Sequence, residues 1–93
     1  MKNYNEFDDN ETWSLDQTIA KFILPRLKRY RDINFSPPLG LTDDEWNDIL
    51  NRMIVSFGIA ADDSRYSKMN KDELKIFEDG FEQFHKYFKE LYW

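Results

Sequence analysis

Between Asp72 and the last residue the chain has no proline, and its apolar residues fall at Leu74, Phe77, Phe81, Phe84, Phe88 and Leu91. The steps alternate three and four, the repeat that keeps one stripe of a helix against its neighbours. A segment patterned this way folds as an amphipathic helix lying along other helices, and the rest of the chain must supply them. The stripe implies that Phe81→Ala or Phe84→Ala costs roughly 3–5 kcal/mol, as truncation of a core Phe does. It runs on into Leu91-Tyr92-Trp93. An ending this aromatic is expected to be buried, inside the domain or against a partner.

Two further stripes answer the first. Leu15, Ile19, Phe22, Ile23, Leu27 and Tyr30 recur at helical spacing, introduced by Ser14 and Gln17 in the arrangement of a capping box. Pro25 falls inside this stripe, where a missing backbone donor and a clash with the preceding turn predict a kink or break near residues 21–24. Trp46, Ile49, Leu50, Met53, Ile54 and Phe57 form the other stripe. Thr42 and Glu45 make its capping box, Asp43 and Asp44 suit the helix dipole, and Leu41 with Trp46 forms a hydrophobic staple. The carboxy-terminal helix starts at a third box, Asn70 with Glu73, and a second staple, Met69 with Leu74. Pro37, Pro38 and Gly40 mark residues 34–41 as a loop, with Leu39 and Leu41 tucked beneath it. Residues 62–70 form the second connection.

These signals predict an all-α fold of one domain over residues 1–93. It is a compact bundle of three principal helices at about 14–33, 43–61 and 71–92, the first kinked at Pro25. Residues 1–12, with Glu6, Asp8, Asp9 and Glu11 against one lysine, form a short acidic arm that Tyr4 and Phe7 can pin to the body.

Composition narrows the chemistry. The absence of cysteine excludes disulfides, thiolate metal sites and a cysteine nucleophile. No apolar run approaches the roughly 20 residues of a spanning helix, and the acidic amino-terminal segment does not read as a secretory signal. A net charge of −5 argues against direct DNA binding through the phosphate backbone. Aromatics at 17% of the chain exceed what a small helical core usually needs, so either the core is dense in rings or some rings serve an interface.

The concentrated positive charge in this acidic protein is Arg26, Lys28, Arg29 and Arg31. These four are the candidate ligand-binding residues, suited to an anion or a nucleotide phosphate. A solvated helix end, where cations oppose the dipole, is the competing explanation. Trp13, Tyr87, Tyr92 and Trp93 are the candidate partner or oligomer interface. Asp16 with Arg26 suggests a structural ion pair. No metal site is expected. The carboxylates of Asp43, Asp44, Glu45 and Asp48 diverge around a helix start, and Asp62-Asp63-Ser64 lacks the glycine of a calcium loop. Glu82 and His85 have the spacing of a carboxylate di-metal helix, but the chain holds one histidine and such sites need two pairs. His85 has no evident nucleophile to activate. Gly40, Gly58 and Gly80 build no phosphate loop. Gly80 inside the last helix costs about 1 kcal/mol relative to alanine, which suggests either a close helix approach or a tolerated surface position.

Read together, Trp13-Ser14-Leu15-Asp16, Leu24-Pro25-Arg26-Leu27-Lys28, Leu41-Thr42 with Glu45-Trp46 and Ile49-Leu50, and Phe84-x-Lys86-Tyr87-Phe88 before Leu91-Tyr92-Trp93 resemble a group of small proteins encoded by bacteriophages. The resemblance runs from about residue 7 to the end. Tyr92 departs from the paired tryptophans with which that group often closes. It implies a viral accessory protein acting in the cytoplasm of a bacterial host, and it designates no catalytic or binding residue. The expectation is a non-enzymatic protein, without cofactor, that binds a host component and inhibits a defence or regulatory system. Two other readings stay open: a sponge for a nucleotide second messenger of bacterial immunity, and a minor structural or assembly protein of the virion. A homo-oligomer is compatible with each.

Overall fold

A computed structural model describes residues 7–33 and 36–92. Tyr4 and the first half of the acidic arm lie outside the described residues, as does Trp93. Three long helices account for most of the chain: α1 (Leu15–Ile33), α2 (Asp43–Ala60) and α4 (Lys71–Tyr87). A five-residue helix, α3 (Asp63–Ser67), occupies the second connection, and 3-10 turns at Asp9–Thr12 and Phe88–Glu90 flank the long helices. No strand forms among the described residues.

Helix starts follow local chemistry closely at α2 and α4. Thr42 Oγ1 accepts the Glu45 amide at 3.1 Å while the Glu45 carboxylate accepts the Thr42 amide at 2.8 Å. Asn70 and Glu73 repeat the exchange at 2.9 and 3.2 Å. Each box satisfies two amides that the helix itself leaves open. Thr42→Ala is therefore expected to cost about 1 kcal/mol, read as a lower urea midpoint, while partner binding is retained. The expected box at Ser14 does not form. The chain enters α1 through the 3-10 turn Asp9–Thr12, whose own box pairs Asp8 with Glu11. The Ser14 carbonyl then accepts the Gln17 and Thr18 amides, both at 3.0 Å. A local signal was present, but a preceding turn made it redundant. The short α3 leaves no apolar stripe in the sequence, because five residues carry no periodicity. Its start is a single Asp62 side chain accepting the Ser64 amide at 3.0 Å.

Helix α1 does not break at Pro25 but runs from Leu15 to Ile33 with the proline inside. Leu39, expected under its loop, is fully exposed at the turn where Gly40 takes a φ of 93°, a conformation glycine adopts without steric cost. Leu41 does pack against the core.

The core belongs to α2. Trp46, Ile49, Leu50, Met53 and Phe57 are all buried and form one cluster with Ala20 and Leu27 of α1. Helices α1 and α4 both pack on α2, and among the described residues no Cα of α1 comes within 8 Å of one in α4. The result is an open layer around α2, not a closed bundle. Its extents are 48 × 35 × 19 Å and its radius of gyration is 14.9 Å, against about 12 Å for a compact chain of this length.

The α2–α4 contact is close because two small residues meet. Gly80 is buried, and a Cβ placed on it would collide with the Ser56 side chain and the Arg52 carbonyl oxygen. Ser56, itself fully buried, donates its hydroxyl to the Phe77 carbonyl at 2.7 Å. Gly80 is thus the close helix approach, not a tolerated surface glycine. Beside it, Arg52 makes a two-pronged pair with Asp79, its Nε donating to Oδ2 at 2.7 Å, and Gln83 supports the same carboxylate at 3.4 Å. Asp48 adds a looser contact one turn away, at 3.5 Å.

The hydrogen bond from Arg52, ahead of burial, holds the Asp79 carboxyl below its ordinary value of 3.8. The folded state therefore binds this proton less readily than the unfolded chain does. The pair's stabilisation is present above the unfolded value and disappears as pH falls through the folded one. Both side chains are about a third exposed or more, so solvent screens the pair and its contribution is small. Urea midpoints measured from pH 6 to pH 2 should show an acid-side loss, and Asp79→Asn should flatten it.

Candidate interaction groove

Because α1 and α4 both lie on α2 with their Cα atoms more than 8 Å apart, a trough with two hollows lies between them. The chain direction alternates through the three helices, so α1 and α4 are parallel and their amino ends share one end of the trough. At that end Ile19 and Ala20 of α1, Phe57 and Ala60 of α2, Tyr66 of α3, and Phe77 and Phe81 of α4 surround a cavity of about 360 Å³, with Asp16 and Asp63 as its charged members. At the other end Ile23, Leu27, Tyr30, Phe84, Phe88 and Leu91 surround a second hollow of about 290 Å³, with Arg26 as its one charged member among the described residues. The groove is apolar along its length, acidic at one end and basic at the other.

Ring contacts build its α4 wall. Phe57 packs on Phe81 and Phe84 with centroids 4.7 and 4.8 Å apart, and Phe77–Phe81 and Phe84–Phe88 continue the series at 5.0 and 5.5 Å. Yet no apolar side chain of α4 is fully buried. Gly80 alone is. The aromatic stripe is half covered by α2 and half open to the trough. On the α1 side Leu15, Ile19 and Phe22 are 49, 46 and 58% exposed.

The basic end is closed by Tyr30, whose hydroxyl donates to the carbonyl oxygens of Tyr92 and Glu90 at 2.9 and 3.2 Å. Burial, the leading cause, raises its pKa above the ordinary 10.0, so it remains a donor throughout the neutral range. The Trp46 indole N–H is buried near this hydroxyl and makes no hydrogen bond among the described residues. Its ring packs edge-on against Tyr87 at 5.6 Å.

The four candidate cations do not converge. They lie on one helix at offsets that spread them around its circumference. Arg26 lies over the Phe22 ring at 3.7 Å and donates to the Phe22 carbonyl at 2.8 Å. Arg31 turns to Asn51 of α2 at 2.8 Å and to neighbouring Asp32 at 3.1 Å. Arg29 is exposed. Lys28 faces the other side of α1, where it shares a hollow of about 310 Å³ with Leu24, Ile54, Val55, Gly58 and Arg65. Arg65, absent from the sequence-derived set, comes from α3.

The candidate interface residues also separate. Trp13 is 81% exposed just before α1. Tyr87 is half-buried against Trp46. Tyr92 is 70% exposed, so its ring is not buried in the domain as its apolar character suggested. Its backbone carbonyl, held by Tyr30, fixes the segment instead. Asp16 and Arg26 do not pair within the chain, since ten residues of helix place them about 15 Å apart. Glu82 and His85 are both exposed on α4. No group of three metal-ligating side chains gathers among the described residues, and no helix there is long and apolar enough to cross a membrane.

No protein-family model, curated protein or solved structure matches the chain.

Proposed function

We propose that this chain is a non-enzymatic accessory protein that binds a component of a bacterial host, acting in the host cytoplasm to inhibit a defence or regulatory system. The bacteriophage setting rests on the resemblance of its short motifs. The binding role rests on one observation: the Trp13 and Tyr92 rings stand 81 and 70% exposed in a protein whose core already holds Trp46 and Phe57, with Phe81 and Phe84 packed against them. Tryptophan and tyrosine are the side chains that most often anchor protein interfaces. The test is affinity capture of the full chain from bacterial lysate, followed by reconstitution with the purified captured protein. Trp13→Ala and Tyr92→Ala should each weaken the reconstituted complex at unchanged circular dichroism. A complex indifferent to both would move the interface elsewhere.

One observation favours a nucleotide sponge as a second reading. Lys28 and Arg65 share the hollow opposite the groove, two cations beside an apolar floor. Isothermal titration with cyclic dinucleotides decides between the readings. Heat that vanishes in Lys28→Glu and Arg65→Glu supports the sponge, and absence of heat with the wild type removes it.

A further inference from the structure

We propose that the α1–α4 groove is an interface closed by a second copy of this chain, docked about a two-fold axis so that α1 of each copy lies antiparallel to the other and seats in the facing groove. This goes beyond the host-binding reading and does not depend on it.

Three observations carry the inference. First, the fold is unfinished as a layer. Helices stack stably when each apolar stripe is covered, and here α2 alone is packed by two long helices. Leu15, Ile19 and Phe22 line up along α1 at steps of four and three, an exposed ridge that matches a helix-seating contact. Second, the trough beside that ridge is apolar, walled by aromatic rings, and long enough for several helical turns. Ridge and trough belong to the same face, so one docking step covers both on each copy, as a two-fold interface requires.

Third, the charges are self-complementary. The groove carries Asp16 and Asp63 at one end and Arg26 at the other. Asp16 has no ion-pair partner among the described residues, and Arg26 contacts only the ring and carbonyl of Phe22. An antiparallel pair centred near Lys21 sets Asp16 of each copy opposite Arg26 of the other. The same register sets Ile19 opposite Ile23 and brings the two Phe22 rings together near the axis. A parallel arrangement would oppose like charges at both ends. The ion pair that Asp16 and Arg26 are too far apart to make within one chain is thereby made twice between chains.

Sedimentation equilibrium of the full chain over a wide concentration range tests this, with circular dichroism as the control for folding. The wild type should show a reversible monomer–dimer equilibrium. Phe22→Asp, an exposed position, should leave the helical spectrum intact and abolish the dimer. Asp16→Arg and Arg26→Asp should each weaken association about tenfold, because each places two like-charge contacts in the dimer. Mixing those two variants, or combining them in one chain, should restore it, since opposite charges again face each other. A wild type that stays monomeric throughout, a dimer unaffected by Phe22→Asp, or a charge pair with no rescue would overturn the proposal. The host complex is measured separately through Trp13 and Tyr92, so failure of either proposal leaves the other standing.

Discussion

Phe57→Ala should lower stability by roughly 3–5 kcal/mol, the range for truncating a buried Phe. Phe57 is 3% exposed, and its ring joins the core of α2 to both Phe81 and Phe84. Its loss leaves a cavity where Phe81 and Phe84 of α4 are anchored on α2. Against a total of about 5–15 kcal/mol for a natural domain, this brings the protein to the edge of folding. Thermal melts should shift by roughly 4–8 °C for each kcal/mol. Phe81→Ala and Phe84→Ala should cost less, about 2 kcal/mol each, because both rings are only half covered. That order reverses what the carboxy-terminal stripe suggests on its own. A Phe81 or Phe84 variant less stable than the Phe57 variant would show that the groove is filled in solution.

Gly80→Ala should destabilise by about 3 kcal/mol, although alanine is the better helix former by about 1 kcal/mol. The added methyl meets the Ser56 side chain and the Arg52 carbonyl oxygen. Backbone cannot swing aside as a flexible side-chain end can, so α4 must lift from α2. Lifting also strains the Ser56–Phe77 hydrogen bond and the Arg52–Asp79 pair on either side. Gly58→Ala is the control. Its new methyl meets only the end of Arg65, at 3.8 Å, and the change should be neutral or mildly stabilising. Urea denaturation of the two variants side by side separates close packing from glycine's general helix penalty. Equal midpoints would mean that the helices are not held together at this point.

The core stripe of α2 was legible residue by residue. Trp46, Ile49, Leu50, Met53 and Phe57 repeat at helical spacing and are all buried, because both α1 and α4 pack on this helix; Ile54 of the same stripe is half-buried, and Val55 beside it is 42% exposed. The stripes of α1 and α4 were equally clear as stripes, but their burial was not. Periodicity says which side of a helix is apolar, not how much of that side a neighbour covers. Leu15, Ile19 and Phe22 satisfy the pattern as well as Leu27 does, yet Leu27 alone of these is buried. The charged residues were legible as a list and not as a site. Arg26, Lys28 and Arg31 are close in sequence but project to different neighbours, and Arg65, which lines the same hollow as Lys28, comes from a helix too short to leave a periodic trace.

By itself the sequence determined that the chain is helical, where α2 and α4 begin, and most of the residues that face inward on the central helix, though not the buried Ser56 and Ile59. These follow from interactions within a few residues, capping exchange and the 3.6-residue turn, which no distant contact needs to complete. Only the tertiary structure decided that α1 and α4 stand apart on α2. That separation leaves an apolar groove with acid at one end and base at the other, and it presses Gly80 onto Ser56. These depend on the distance between helices, which is set by the side chains that meet at each crossing. No single stripe contains that information, because it belongs to pairs of residues far apart in the chain.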